Sequence, residues 1–430
     1  MCCVCINQHR VKESQHSGVT VPFEEFSSSF GDRVRSIRNI IALMDPWDSP
    51  KYCQRAWCVF ELHTAAELDE CQLEIVMPPE EAERFANAIA QGTGLLALWH
   101  TLANTQLEKA KASVPQDRDN IFRLVEQHPG FKTLNETVVT KLQTWFSHAA
   151  DGHRIRLLQK EKNIKSVLAC RQVAEFFRML GNLGRARELF EVALDVLTEC
   201  DGRDTPEHAV VLGSFGHLKR EQGDLEGAMD LLMDAHRILT GAAALTTSDG
   251  AMVLSQIASV FVQQHAFESA LPHLLEAHRI RNVTNTLATN DGQKLLQMLG
   301  HVQRETKDFQ AALSSYEAAY RQLLIAEALV TPDAASLKAS IGHVKRLTGD
   351  LDGALEEYAQ ARQIFEGIGT LKTPNGGALL VNVGHVLRAK GDLDAALSTY
   401  KEARDVFKAS GSWETPAAKE CKQLIGALSM

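Results

Sequence analysis

The stretch GHVKRLTGDLDGAL, Gly342 to Leu355, returns almost unchanged as GHVLRAKGDLDAAL, Gly384 to Leu397, 42 residues further on. Stepping by the same interval from Gly342 through the chain gives Ala174, Gly216, Ala258, Gly300, Gly342 and Gly384, all small. Stepping from Ala354 gives Ala186, Ala228, Ala270, Ala312, Ala354 and Ala396, and seven residues later stand Ala193, Ala235, Ala277, Ala319, Ala361 and Ala403. Small residues in register let one helix backbone approach another closely. Between them the large residues Ile341 and Val344, and then Leu355 and Tyr358, stand three apart, a helical spacing with one face in a core. A fixed period of this length is the signature of a repeat architecture.

The punctuation repeats as well. Thr205, Thr247, Thr289, Thr331, Thr373 and Thr415 share one phase, and Pro follows at 206, 332, 374 and 416. A threonine oxygen accepts an orphan backbone N–H at a helix start, and proline at the first helical position leaves none unsatisfied. One period earlier stands Asn163, an equally good cap. Within each unit a break falls at Gly181, Gly223, His265, Lys307, Gly349 or Gly391, and Asp224, Asp308, Asp350 and Asp392 can cap the helix that follows. Each unit is therefore expected to be a helical hairpin with a first helix of about 16 residues. Six such units run from about Asn163 to Ser412. A seventh opens at Thr415, and its single helix would cap the stack.

The small residue, the alanine twelve positions on and the alanine seven beyond that resemble the tetratricopeptide repeat. The 42-residue period resembles the form found in kinesin light chains. That resemblance implies a mainly α fold, a right-handed α-solenoid of helical hairpins over residues 163–430, whose first helices line a concave, peptide-binding groove. Kinesin light chains tend to carry Asn on that inner face, whereas this chain carries mostly His, and the heptad coiled coil that joins light chain to motor is absent. The reading is thus of a shared repeat type, not of a motor subunit.

In this register the residue after each small anchor faces the groove: His217, His301, His343 and His385, with Glu175 and Ser259 breaking the column. Three residues further on come Arg178, Arg220, Arg304, Arg346 and Arg388, with Val262 the exception. Residues three apart share a helix face, so the expectation is a basic ladder able to take acidic or phosphorylated segments, arginine being the fork-shaped donor. The partner-binding candidates are Arg220, His301, Arg304, His343, Arg346, His385 and Arg388. The competing expectation is a solvated face whose arginines pair with neighbours such as Glu221 and Glu305. Histidines set one per repeat stand too far apart to share a metal ion.

The first 150 residues alternate strand-like and helix-like runs: CCVCI, NIIALM (Asn39–Met44) and LEIVMP (Leu73–Pro78) as strands, QRAWCVFELHTAAEL and EEAERFANAI as helices. That order predicts a parallel α/β sheet. Cys2, Cys3 and Cys5 lack the second ligand pair of a zinc site and read as part of a buried strand. There is no phosphate-binding glycine loop. The stretch SPKYCQRAWCVFEL, Ser49 to Leu62, resembles the Toll/interleukin-receptor (TIR) fold, whose plant-type members carry S-x-W-C-L-x-E-L there. Trp57, Cys58, Glu61 and Leu62 match, while Arg55 stands in place of Ser and Val59 in place of Leu. In NAD-cleaving members the Glu of this motif is the catalytic acid, so the resemblance places that role on Glu61. The alternative for Glu61 is a helix carboxylate paired with Arg55. The family's sheet has a central first strand ahead of the one read here as CCVCI, so residues 1–150 are expected to form a partial TIR-like domain with a helical C-terminal extension. Its core there is expected from Ala110, Ile121, Leu124, Val125, Leu134, Val138, Leu142 and Trp145, with a boundary near Asp151.

Of the 430 residues 45% are hydrophobic and 23% charged, and the formal net charge is −9. An acidic chain is not a bulk binder of nucleic acid, and no run of 18 apolar residues suggests a membrane span. CCVCINQHRV has no basic region or cleavage site of a secretory leader, and nine scattered cysteines fit a reducing cytoplasm. The expectation is a cytoplasmic, non-enzymatic scaffold that needs no cofactor and binds a protein or peptide. The alternative is an NAD glycohydrolase, with NAD as substrate, regulated by its repeats.

Overall fold

The computed structural model describes residue 28 and residues 31–34, 36–67, 71–91, 106–112, 115–325 and 329–428. They fall into two compact units, residues 1–203 and residues 204–430. The stretch CCVCI, with Cys2, Cys3 and Cys5, lies outside the described residues.

In the first unit β1 (Asn39–Leu43) and β2 (Gln72–Val76) pair in parallel, from Asn39 opposite Gln72 to Leu43 opposite Val76. Parallel strands need a crossover, and α1 (Ala56–Glu67) supplies it. The alternation of β1 buries Ile40 and Ala42, while α1 buries Ala56, Cys58, Val59, Phe60 and Leu62. After β2 comes α2 (Pro79–Gln91), then α3 (Pro115–Gln127) and the 30-residue α4 (Phe131–Lys160). Ala110, Ile121, Val125, Leu134, Val138 and Leu142 are buried as their spacing predicts, but the stripe of α4 continues to Phe146. Steps of four from Leu134 through Val138 and Leu142 reach 146, so Trp145 lies to one side and is only half-buried, as is Leu124 on α3. The boundary expected near Asp151 lies inside a continuous helix. The Asp151 carboxylate holds that helix from two sides, accepting from Arg154 Nε at 2.6 Å and from Arg185 Nη2 at 2.7 Å.

The first hairpin belongs to this same unit. Asn163 and Ser166 form a reciprocal capping box at the start of α5 (Ile164–Met179), and Asn182 caps α6 (Leu183–Glu199). The pair packs on α4 and α2.

The second unit is a solenoid of hairpins. These are α7 (Pro206–Glu221) with α8 (Leu225–Gly241), α9 (Ser248–Gln263) with α10 (Phe267–Val283), and α11 (Asn290–Glu305) with α12 (Phe309–Ile325). Then come α13 (Pro332–Leu347) with α14 (Leu351–Gly367), α15 (Pro374–Ala389) with α16 (Leu393–Ala409), and the single helix α17 (Pro416–Leu428). Thr205, Thr247, Thr289 and Thr331 each accept a backbone N–H three residues on. Thr373 holds the cap position but makes no such bond. Asp224, Asp308, Asp350 and Asp392 cap the second helices. Where the break lacks glycine, His265 and Lys307 adopt the left-handed backbone themselves, at φ 57° and 65°.

Both alanine columns are wholly buried from the second repeat to the sixth. Their neighbours explain the glycines among the anchors. A Cβ on Gly300, Gly342 or Gly384 would stand 2.8, 2.7 or 2.4 Å from the ring of Tyr316, Tyr358 or Tyr400. Each ring comes from the second helix of the same hairpin and fills the space a side chain would need. At Gly216 the same register holds Leu232, 2.9 Å from where a Cβ would stand, whereas Ala258 is accommodated beside Leu274.

Candidate functional site

The predicted ladder is built from the last turns of α11, α13 and α15, which carry the pairs His301–Arg304, His343–Arg346 and His385–Arg388. Helical spacing turns each pair to one side. In the first rung Arg304 Nη2 lies 2.8 Å from His301 Nδ1, and in the second Arg346 Nη2 lies 3.3 Å from His343 Nε2. The tyrosines underlie the rungs. The Tyr400 hydroxyl is 3.3 Å from His385 Nδ1, and charge on Arg346 acts on Tyr358 just as charge on Arg304 acts on Tyr316. Burial outweighs that cationic influence and pushes the Tyr358 phenol up to about 12.

The rungs also act on one another. Burial lowers the His343 pKa to about 4, and Arg304 from one rung and Arg346 from its own push in the same direction. Burial lowers His301 and His385 too, with Arg304 acting on the former and Arg346 and Arg388 on the latter. At neutral pH the imidazoles are therefore uncharged, and the positive charge of the face resides on the arginines.

Two rungs carry an acid of the chain's own. Glu305 Oε1 accepts from Arg304 Nε at 3.1 Å and Nη2 at 2.5 Å, as the solvated-face alternative expects. Glu420 of α17 places Oε1 3.2 Å from His385 Nε2. Among the described residues, Arg346 and Arg388 have no carboxylate partner.

The remaining candidate, Arg220, is half-buried on α7, where His217 faces Glu221 at 3.3 Å. It is separated from the three rungs by α9. There Ser259 donates to the Ser255 carbonyl at 2.9 Å, with Met298 Sδ alongside, and Val262 packs with Phe267 into an apolar cluster. The structure thus brings together six of the seven candidates and leaves Arg220 apart. Sequence reasoning placed Tyr358 in the core but assigned neither the tyrosines nor Glu420 to the site. The tyrosines repeat at the same 42-residue interval and could have been found by it. Glu420 could not, since it acts from a helix that belongs to no complete repeat.

Glu61 sits on α1, half-buried, and its Oε2 accepts from the Tyr52 hydroxyl at 2.7 Å. Burial raises its pKa, while the Tyr52 bond and the Arg55 charge pull it back. Of the other motif residues, Cys58 and Leu62 are core, and Trp57 meets Phe60 edge-on at 5.9 Å and bonds Asp117.

Comparison with known proteins bears on the repeats alone. The tetratricopeptide repeat family model matches residues 167–240 and 333–409, so the chain contains tetratricopeptide repeats. No curated protein matches the chain. Among solved structures it is similar to BtubC (BKLC) from P. vanneervenii, at 19% identity and a TM-score of 0.48 over 53% of this chain and 92% of that one. It is also similar to a Podosopora anserina protein described as a kinesin light chain with nearly identical TPR-like repeats, at 14% identity and 0.41 over 47% and 95–97%. A third is YrrB, a TPR protein with an unusual peptide-binding site, at 19% and 0.37 over 54% and 97%. Among the described residues no helix is long and apolar enough to cross a membrane.

Proposed function

We propose that this protein is a cytoplasmic, non-enzymatic scaffold that binds an acidic segment of a partner protein along the first-helix face of its second unit. The observation that carries this reading is the run of three adjacent His–Arg rungs whose arginines outnumber the carboxylates beside them. Among the described residues the three arginines, Arg304, Arg346 and Arg388, stand with two carboxylates, Glu305 bonded to Arg304 and Glu420 beside His385. An array whose shape is fixed by packing offers such a face at no ordering cost to the protein, and charge-assisted bonds to arginine supply the anchoring contacts. Arg220 with its own repeat extends the same face by a separate contact. The kinesin-light-chain form of the repeat fits this role without implying a motor partner.

The test is binding of degenerate nine-residue peptides, one set centred on Glu and one on Lys, read by fluorescence anisotropy. The wild type retains the Glu set over the Lys set, and Arg304→Glu with Arg346→Glu abolishes the difference. Equal binding of both sets, or unchanged preference in the double variant, removes the groove assignment.

A second reading is favoured by Glu61 itself. A carboxylate that is half-buried, raised in pKa and oriented by a tyrosine has the properties of a catalytic acid. On the TIR-like interpretation of residues 1–150 it would engage the ribose hydroxyls of NAD while the nicotinamide bond breaks. Nicotinamide release from NAD that vanishes in Glu61→Ala supports it, and the absence of release from the wild type removes it.

A further inference from the structure

The chain shows, within one rung, how a carboxylate is received. Glu420 reaches the His385 imidazole from the next helix along, α17, with its Oε1 3.2 Å from Nε2. The same register position is Ala378 on α15, one repeat earlier, which follows the rung of His343 and Arg346. The acid that serves the first rung, Glu305, follows Arg304 directly, and its counterpart after Arg346 is Leu347, exposed at 42%. The middle rung thus lacks both acids that its neighbours possess.

It also retains an unused donor. Arg346 Nε is buried without a hydrogen-bond partner among the described residues, and burying such an atom unpaired is unfavourable. The fully buried Tyr358 hydroxyl lies against the same side chain, which bonds it and whose charge acts on it. Arg346 and His343 are themselves only half-buried.

From this we infer that the middle rung is a carboxylate subsite. It receives one Glu or Asp side chain of the partner in the position, above Ala378, that Glu420 occupies one repeat later. Arg346 holds the carboxylate, His343 orients the guanidinium by accepting from Arg346 Nη2, Arg304 and Arg388 flank it, and Tyr358 is a positioning residue beneath Arg346. Among the described residues the charges acting on this stretch are Arg304, Arg346 and Arg388 against Glu305 and Glu420. The excess is a single positive charge, which one carboxylate neutralises. A phosphoryl dianion would overshoot it with a carboxylate on either side. The inference rests on the scaffold reading above and specifies which contact dominates it.

The experiment uses the full chain and three degenerate nine-residue peptide sets, centred on Glu, Gln and phosphoserine, read by fluorescence anisotropy. The expected order is Glu tightest, with at least a tenfold loss for Gln. Ala378→Glu gives the middle rung an internal acid of the Glu420 kind and lowers affinity for the Glu set about tenfold or more, while far-UV circular dichroism and melting temperature stay as in the wild type. Glu420→Gln, which frees the last rung, raises affinity several-fold. Tyr358→Phe, which keeps the ring, weakens binding less than Arg346→Gln does. If Ala378→Glu binds like the wild type while the Arg304→Glu, Arg346→Glu pair still abolishes binding, the scaffold reading stands and the subsite is wrong. Tightest binding of the phosphoserine set likewise overturns the subsite. Failure of every set to bind overturns both.

Discussion

Replacing Gly342 by alanine tests the packing that shapes the middle rung. Helix propensity alone favours the change, since alanine is better than glycine in a helix interior by about 1 kcal/mol. The structure opposes it. The new methyl would lie 2.7 and 2.8 Å from Cε1 and Cδ1 of Tyr358 and 3.2 Å from the Ala354 carbonyl oxygen. Tyr358 is fully buried and has nowhere to retreat, and overpacking of this kind costs about 1–3 kcal/mol. The net expectation is destabilisation by about 1–2 kcal/mol. Tyr358→Leu alone removes ring contacts and costs a similar amount. Combined, the two changes reproduce the Ala258 and Leu274 pairing that the third repeat already accommodates. The double variant is therefore expected to be at least about 1 kcal/mol more stable than the sum of the single effects predicts. Urea titration followed by far-UV circular dichroism measures the cycle, and amide exchange localises the effect to α13 and α14. A neutral or stabilising Gly342→Ala, or strict additivity, would refute the account of why glycine stands at this position.

Other outcomes follow from the same contacts. His343 has a folded-state pKa of about 4 against an ordinary 6.5. The unfolded chain therefore binds the extra proton, and stability falls as pH drops from about 6.5 to 4. The full shift corresponds to about 3 kcal/mol, and partial exposure of the ring reduces this to about 1–2 kcal/mol. His343→Gln should flatten the slope of a pH-dependent melting series by that amount. Asp350→Ala removes the bond to Gly353 N–H at 2.9 Å and should cost about 1 kcal/mol, read by urea titration. Arg362 bonds Glu402 at 2.7 Å across adjacent repeats, both half-exposed, so Arg362→Ala should cost under about 1 kcal/mol and less at high salt. Tyr52→Phe deprives the Glu61 carboxylate of its donor and should move its pKa further up, measured by carboxyl carbon NMR.

The repeats were legible because their rules are local. Caps at Thr205 or Asp350 act within four residues, and the alanine columns report a packing constraint that recurs at every hairpin. What the sequence hid lies between elements. Gly342 reads as a small residue, but only Tyr358, sixteen positions on, shows why it cannot be larger. A Thr at 373 looks identical to its fellows and makes no cap bond. His343 and His385 read as the same ladder residue, yet Glu420 gives one of them an acid and Ala378 leaves the other without. The helical continuity of α4 through Asp151 was missed because polar, glycine-containing sequence suggests a link, whereas Arg154 and Arg185 turn the aspartate into a staple. For Glu61 the sequence suggested chemistry, and the geometry supplies an orienting tyrosine.

The third repeat has a consequence in electrical terms. With Ser259 and Val262 in place of His and Arg, two repeats separate Arg220 from Arg304, about 20 Å if each packed helix adds 8–10 Å. That exceeds the distance of about 8 Å over which charge is felt in physiological salt. The repeat therefore works as an insulator set into a conductor. Arg220 and the three rungs beyond it do not sense each other's charge, so on the proposed scaffold reading two acidic contacts on this face would have strengths set, and changed by mutation, independently.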